Sequence, residues 1–98
     1  PAFKSQEGHL LYARSLEKLA EYTKALEEYQ VLADYYNGAE AKYRYARLLN
    51  RLGKTGNAKN LFEKIIDENN GDPEFTQQRN KMWVEKAKTE LQNTGRAS

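Results

Sequence analysis

A segment of the chain is repeated once, without a gap, at an interval of 33 residues. Residues 12–38 align with residues 45–71, and nine of the 27 aligned positions are identical. Among the identical pairs are Tyr12 and Tyr45, Ala13 and Ala46, Arg14 and Arg47, Leu16 and Leu49, Leu19 and Leu52, and Ala25 and Ala58. A period of this length is typical of stacked helical units, each of which covers its apolar face with its neighbour.

The apolar residues within each copy predict two helices. Leu16 and Leu19 lie on one side of a first helix, and a second helix has apolar residues three and four positions apart. In the first copy these are Tyr22, Ala25, Leu26, Tyr29 and Leu32. We predict helices over residues 6–19, 22–35, 39–52 and 55–68, with Ser5 as the first N-cap. Asn37-Gly38 and Asn70-Gly71 supply residues that tolerate positive φ after each second helix.

Small residues recur where two helices should approach closely. We expect Ala13 and Ala46 between the helices of one hairpin, and Ala25 and Ala58 where a second helix meets the next unit. Larger side chains there would separate the backbones, at a typical cost of about 1–3 kcal/mol. The aromatic ring at the matching positions 29 and 62 should fill the remaining space.

Residues after Gly71 do not continue the repeat and predict a capping helix. Asp72-Pro73 is a strong helix start, and an apolar stripe follows at Phe75, Met82, Trp83, Ala87 and Leu91. A terminal helix with a polar outer face would cover the last exposed core surface. We expect this helix to span residues 72–92 and Trp83 to anchor it by packing. The alternative is that Trp83 belongs to a binding pocket. Residues 93–98 should form a disordered tail.

This arrangement resembles the tetratricopeptide repeat family. In that family a large and a small residue occupy the first helix, and a small, an aromatic and an apolar residue follow on the second. In the first copy the pattern is met by Tyr12-Ala13, Leu16, Ala20, Tyr22, Ala25, Tyr29 and Leu32, and in the second by Tyr45-Ala46, Leu49, Gly53, Ala58, Phe62 and Ile65. The chain departs from it at His9, Lys42 and Thr55, and at Asn37 and Asn70, which replace a closing proline. It is similar to divergent repeats of bacterial proteins.

The resemblance implies an all-α superhelix of two hairpins and a capping helix. Residues 1–5 would be a lead-in, 6–38 repeat one, 39–71 repeat two and 72–92 the cap. The implied function is that of a non-catalytic scaffold or adaptor, which binds a peptide or protein segment in a concave groove lined by the first helices.

The groove residues predicted from the repeat register are mostly basic. They are Leu10, Arg14 and Lys18 on the first helix, and Tyr43, Arg47 and Arg51 on the third. Arg14 and Lys18 are four residues apart, as are Arg47 and Arg51, so each pair shares one helix face. Guanidinium groups bind carboxylates bidentately, which favours an acidic ligand. The alternative is that these cations are solvated and paired with Glu17 or Glu40. A chaperone-type carboxylate clamp has lysine and asparagine where Leu10 or Tyr43 and Arg14 or Arg47 stand, so a heat-shock tail is not the expected ligand.

Composition argues against several other functions. The chain has no cysteine and a single histidine, so we expect no metal site, no cofactor and no enzymatic activity. Its 16 basic and 14 acidic residues give a net charge of +2, which does not favour nucleic acid. The sequence contains no membrane-spanning run, and we expect a cytoplasmic segment. The possibility that a longer parent protein has a membrane anchor stays open.

Two alternatives to a peptide receptor remain. Stacked repeats generally need about three units, and this chain has two and begins without methionine, which indicates a piece of a longer protein. It would then be a purely structural segment of a longer superhelix. Alternatively, Leu10 and Leu11 on the first helix would be exposed and would join two copies as a homodimer.

Overall fold

The computed structural model of the protein describes residues 5–69 and 78–97, and these residues form five α-helices. The helices are α1 (Gln6–Lys18), α2 (Tyr22–Tyr35), α3 (Glu40–Arg51), α4 (Thr55–Glu68) and α5 (Gln78–Ala97). The all-α fold class is therefore confirmed, and each boundary predicted for the first four helices lies within one residue of the observed one.

The predicted start of α1 and the turn after α2 are also confirmed. The side-chain oxygen of Ser5 accepts a hydrogen bond from the backbone N–H of Gly8 at 3.0 Å, which satisfies one donor of the first turn. After α2, Gly38 has a φ of 127°, a conformation that L-residues rarely adopt.

The end of α5 differs from the prediction. The helix continues to Ala97, so the backbone of 93–97 is helical where a disordered tail was expected. Extending an existing helix by one residue fixes only that residue, whereas a new helix must first be nucleated. Residues 1–4 of the predicted lead-in over 1–5, the turn at Asn70-Gly71 and the helix start at Asp72-Pro73 lie outside the described residues.

The core consists of two apolar clusters, and α3 contributes to both of them. Ala41 and Leu48 of α3 lie in the first cluster with Leu10, Ala13, Leu16, Ala25, Tyr29 and Leu32. The opposite side of α3 lies in the second cluster, whose members are Ala39, Tyr43, Ala46, Leu49, Ala58, Phe62, Ile65, Trp83 and Ala87. The four alanines predicted at close helix contacts are all buried.

The fifth helix packs on α4 and α3, much as α3 packs on α2. Trp83 is buried in the second cluster, with its ring centroid 5.3 Å from that of Tyr43. Asn80 also accepts a hydrogen bond from the backbone N–H of Ala39 at 3.1 Å. Because Ala39 cannot cap α3 with its own side chain, Asn80 supplies that cap from α5. The expectation that Trp83 anchors the last helix by packing is confirmed.

One apolar residue used to define the first helix lies outside the core. Leu19 is 73% exposed and follows the last residue of α1. The prediction that Leu16 and Leu19 lie on one apolar side of the first helix is therefore wrong for Leu19, whereas Leu16 is buried. Leu19 continues the apolar spacing of α1 but does not pack in the core, because the helix ends at Lys18.

A strained backbone position distinguishes the two hairpin turns. Ala20 has a φ of 60°, and Gly53, its counterpart one period later, has a φ of 87°. The left-handed conformation costs an L-residue about 1–2 kcal/mol. We expect Ala20→Gly to raise the free energy of unfolding by roughly 0.5–1 kcal/mol after the larger entropy of the unfolded glycine chain is subtracted.

The matched control is Gly53→Ala. An added Cβ at Gly53 would meet no atom within 4 Å, so its cost is conformational, and we expect a loss of about 1 kcal/mol or more. Urea titration of both variants measures the two effects. If the two substitutions shifted stability in the same direction, the equivalence of the two turns would be wrong.

Ala58 tests the close contact predicted from the repeat. The residue is 1% exposed within the second cluster, and Ala58→Leu should lower the free energy of unfolding by about 1–3 kcal/mol through overpacking. Thermal unfolding followed by circular dichroism measures this loss. The exposed neighbour Lys59 provides the control, since Lys59→Leu should leave the melting temperature nearly unchanged, and equal effects of the two variants would contradict the assignment.

Candidate functional site

One face of α3 carries four large side chains and is flanked by two clefts. Tyr43, Arg44, Arg47 and Arg51 belong to α3, and at 3.6 residues per turn they fall within an arc of about 100°. Arg44 and Arg51 line a cleft shared with α1, whereas Tyr43 and Arg47 line a second cleft shared with α5. We call these the α1–α3 cleft and the α3–α5 cleft.

The α1–α3 cleft has a volume of about 330 Å³. It is lined by Arg14, Glu17, Lys18, Tyr22, Arg44 and Arg51. Four of these side chains are cationic and one is a carboxylate, so the cleft carries a positive charge that the net charge of the chain does not reveal. The structure thus brings together Arg14, Lys18 and Arg51 of the predicted site.

Glu17 is the single carboxylate among the described residues that line this cleft, and it links three helices. One of its oxygens accepts a hydrogen bond from the hydroxyl of Tyr29 in α2 at 2.9 Å, and the other accepts from Arg51 Nη1 in α3 at 3.3 Å. Burial raises the pKa of Tyr29 above its ordinary value, and the hydrogen bond and charge of Glu17 raise it further. Tyr29 therefore stays a hydrogen-bond donor throughout the physiological pH range.

The cations divide into paired and unpaired groups. Arg51 is paired with Glu17, so the predicted alternative of local ion pairing holds for this residue. Arg44, which was not among the predicted groove residues, donates from Nε to Glu40 at 2.9 Å. No carboxylate of residues 5–69 or 78–97 lies within 4.0 Å of the cationic groups of Arg14, Lys18 or Arg47. These three charges are the ones that an anionic ligand would meet without first breaking an ion pair.

The α3–α5 cleft has a different chemical character. Its volume is about 470 Å³, and its lining includes Arg47, Tyr43, Met82 and Glu90. Tyr43 is only 6% exposed, and its hydroxyl donates to Glu90 at 3.2 Å. Burial is the largest cause that raises the pKa of Tyr43, followed by the negative charge of Glu90. Tyr43 thus lines this cleft while its ring packs on Phe62 and Trp83.

Leu10 does not lie where the repeat register suggested. It is 4% exposed and packs in the first core cluster, so the expectation that it contacts a ligand in the groove, or forms an exposed surface for dimerisation, is corrected. The physical reason is that α2 covers this side of α1. Leu11, its neighbour, is exposed.

Two features of α1 and α3 were not visible in the sequence. His9 is buried, with Nε2 at 2.7 Å from Glu28 Oε1 and Nδ1 at 2.6 Å from the hydroxyl of Tyr35. Both ring nitrogens therefore serve to join α1 to α2. Arg44 lies with its guanidinium carbon 5.3 Å from the ring centroid of Trp83, which adds a cation–π contact to its ion pair. These arrangements arise from contacts between residues that are distant in the sequence, so no local pattern indicates them.

The described residues also bear on two other classes of site. Over 5–69 and 78–97, no group of three histidine, cysteine, aspartate or glutamate side chains is placed to hold a metal ion. In that part of the chain no helix combines the length and apolarity needed to cross a membrane. Comparison of the chain with known protein families, curated proteins and solved structures gives no match.

Proposed function

We propose that this chain is a non-catalytic protein-interaction module that binds an acidic peptide or protein segment across α1 and α3. The observation that carries the proposal is the α1–α3 cleft, which is lined by four cationic side chains and one carboxylate among the described residues. Two of those cations, Arg14 and Lys18, have no ion pair among the described residues. Such a cleft attracts carboxylates through charge-assisted hydrogen bonds.

The repeat supports the same reading. Arg14 and its counterpart Arg47 occupy the same register position in the two copies, and each lines a cleft beside α3. An extended acidic segment that crosses α3 would meet both guanidinium groups. We propose that the hairpins are tetratricopeptide-like and that the module acts as a cytoplasmic scaffold or adaptor, by analogy with the family whose pattern the sequence resembles.

Fluorescence anisotropy with a labelled peptide of alternating glutamate and glycine tests the proposal. We expect the Arg14→Gln, Lys18→Gln double variant to bind this peptide more weakly by at least about tenfold, because even one charge-assisted hydrogen bond contributes about 1.5–3 kcal/mol. The matched control is Lys24→Gln with Lys59→Gln, which removes the same charge from exposed positions on α2 and α4. Equal losses in both double variants, each shown to be folded, would mean that only net charge matters and would contradict a site in the cleft.

Glu17→Gln should act in the opposite direction. The substitution removes the one negative charge that the described lining residues place in the α1–α3 cleft and frees Arg51, while the amide oxygen can still accept the hydrogen bond from Tyr29. We expect about fivefold tighter binding of the glutamate peptide at low salt. Glu27→Gln on the exposed side of α2 is the control and should change the affinity less than twofold. Weaker binding by Glu17→Gln would argue against an anionic ligand at this position.

Self-association is a second candidate, favoured by exposed apolar side chains of the first hairpin. Leu11, Leu19, Val31 and Tyr35 are each about half exposed or more, and such surfaces can pair two copies. Sedimentation velocity over a range of concentrations tests it. A wild-type dimer that becomes monomeric when Leu11→Ser and Val31→Ser are introduced would support this candidate. A monomer at all concentrations would exclude it.

A further inference from the structure

The two clefts beside α3 differ in charge, and the difference restricts the ligand. The α1–α3 cleft is positively charged, with Arg14 and Lys18 outside any ion pair among the described residues. In the α3–α5 cleft the charges are balanced, because the described residues that line it include two cations, Arg47 and Lys86, and two carboxylates, Glu85 and Glu90. A ligand with acidic residues along its whole length would match the first of these clefts better than the second, where Arg47 is the one cation without an ion pair or a ring contact among the described residues.

Most charges of the α3–α5 cleft are already engaged. Glu85 lies 3.5 Å from Lys88 Nζ, Glu90 accepts the hydroxyl of Tyr43, and Lys86 Nζ lies 4.9 Å from the ring centroid of Trp83. Arg47 has no ion pair among the described residues, but a ligand charge placed against any of the other three would have to compete with these contacts. An apolar side chain would not, provided that the cleft offers it an apolar surface.

Met82 supplies that surface. It lines the α3–α5 cleft and is 48% exposed, although its neighbour Trp83 in α5 is buried. Methionine is unbranched and polarizable, and it adapts to apolar side chains of different shapes. The cleft is about 470 Å³ in volume, which is large enough for one apolar side chain beside the thioether.

We propose that the ligand is a peptide segment in which an apolar residue follows or precedes the acidic residues, and that this residue occupies the α3–α5 cleft on Met82. The inference rests on the proposed binding of an acidic segment in the α1–α3 cleft. Packed helices lie about 8–10 Å apart, and an extended chain advances about 3.3–3.6 Å per residue. The apolar residue should therefore stand about three positions from the nearest acidic residue.

Fluorescence anisotropy with four labelled probes tests the assignment. All contain the same run of glutamates, with leucine or serine placed three positions after the run in two probes and three positions before it in the others. We expect one leucine probe to bind about fivefold more tightly than its serine partner, since a half-buried leucine gains part of its transfer free energy. Met82→Ser should abolish this difference. Val31→Ser, which removes a similarly exposed apolar residue outside both clefts, should preserve it.

The outcomes separate the two proposals. Binding of all four probes with no preference for leucine, or a preference that survives in Met82→Ser, would overturn the apolar subsite and leave the acidic site standing. Failure of all four probes to bind would overturn both. Because Met82 is half exposed, Met82→Ser should fold like the wild type, and its circular dichroism spectrum checks this before the titration.

Discussion

Replacing Trp83 with alanine is expected to lower the free energy of unfolding by about 3–5 kcal/mol. The ring is 8% exposed, contacts Tyr43 and lies beneath the cationic groups of Arg44 and Lys86. Its loss opens a cavity in the second cluster and removes both cation–π contacts. A domain of this size is typically stable by roughly 5–15 kcal/mol, so much of the stability would be lost.

The measurement is a urea titration followed by circular dichroism. Met82→Ala is the matched control, because Met82 precedes Trp83 in the same helix but is half exposed, and we expect it to cost less than about 1 kcal/mol. Trp83→Phe should lie between the two, since it keeps an aromatic ring of smaller size. If Trp83→Ala were as stable as the wild type, α5 would not close the core, and Trp83 would have to be reconsidered as a ligand contact.

Tyr29→Ala is expected to have an effect of similar size in the first hairpin. The ring is fully buried in the first cluster, and removal of a buried aromatic ring costs about 3–5 kcal/mol. The substitution also removes the hydroxyl that positions Glu17 in the α1–α3 cleft. Both stability and ligand binding should therefore decrease.

Tyr29→Phe separates the ring from the hydroxyl. It should cost only about 1 kcal/mol, because Glu17 keeps Arg51 as a partner. Since the pKa of Tyr29 is raised above 10.0 in the folded protein, its contribution to stability is complete below pH 10 and declines as the pH rises above that value. Urea titrations at pH 8 and pH 11 should show a smaller alkaline loss for Tyr29→Phe than for the wild type. An equal loss in both proteins would mean that other groups dominate alkaline unfolding.

Local signals in the sequence were sufficient for most of the fold. The spacing of Ala25, Tyr29 and Leu32 gives the period of α2. Ser5 marks the start of α1 through its side-chain oxygen, and Gly38 follows α2 because it tolerates a positive φ. Ala58 was expected at a close contact because its counterpart recurs one period earlier. These inferences depend on neighbours within a few residues or on the repeat itself, which is why they agree with the structure.

The candidate site was less predictable because its charges are arranged by tertiary contacts. The register placed Arg14 and Lys18 on one helix face, but the pairing of Glu17 with Arg51 joins α1 to α3 and has no local signal. Leu10 was assigned to the groove but is buried, whereas Leu11, the next residue of α1, is exposed. The repeat register did not distinguish these two neighbouring positions. Met82 was interpreted only as part of the apolar stripe of the capping helix, since spacing alone does not tell which side of such a stripe meets solvent.

The most direct test of an acidic-ligand site is a nuclear magnetic resonance titration of the isotopically labelled protein with the glutamate peptide. We expect the backbone amide shifts of residues 14–18 in α1 and 44–51 in α3 to move in a saturable manner, and those of exposed positions in α2 and α4, such as Lys24 and Lys59, to stay in place. Saturable changes confined to α2 and α4, or no changes with the protein folded, would contradict the proposed site.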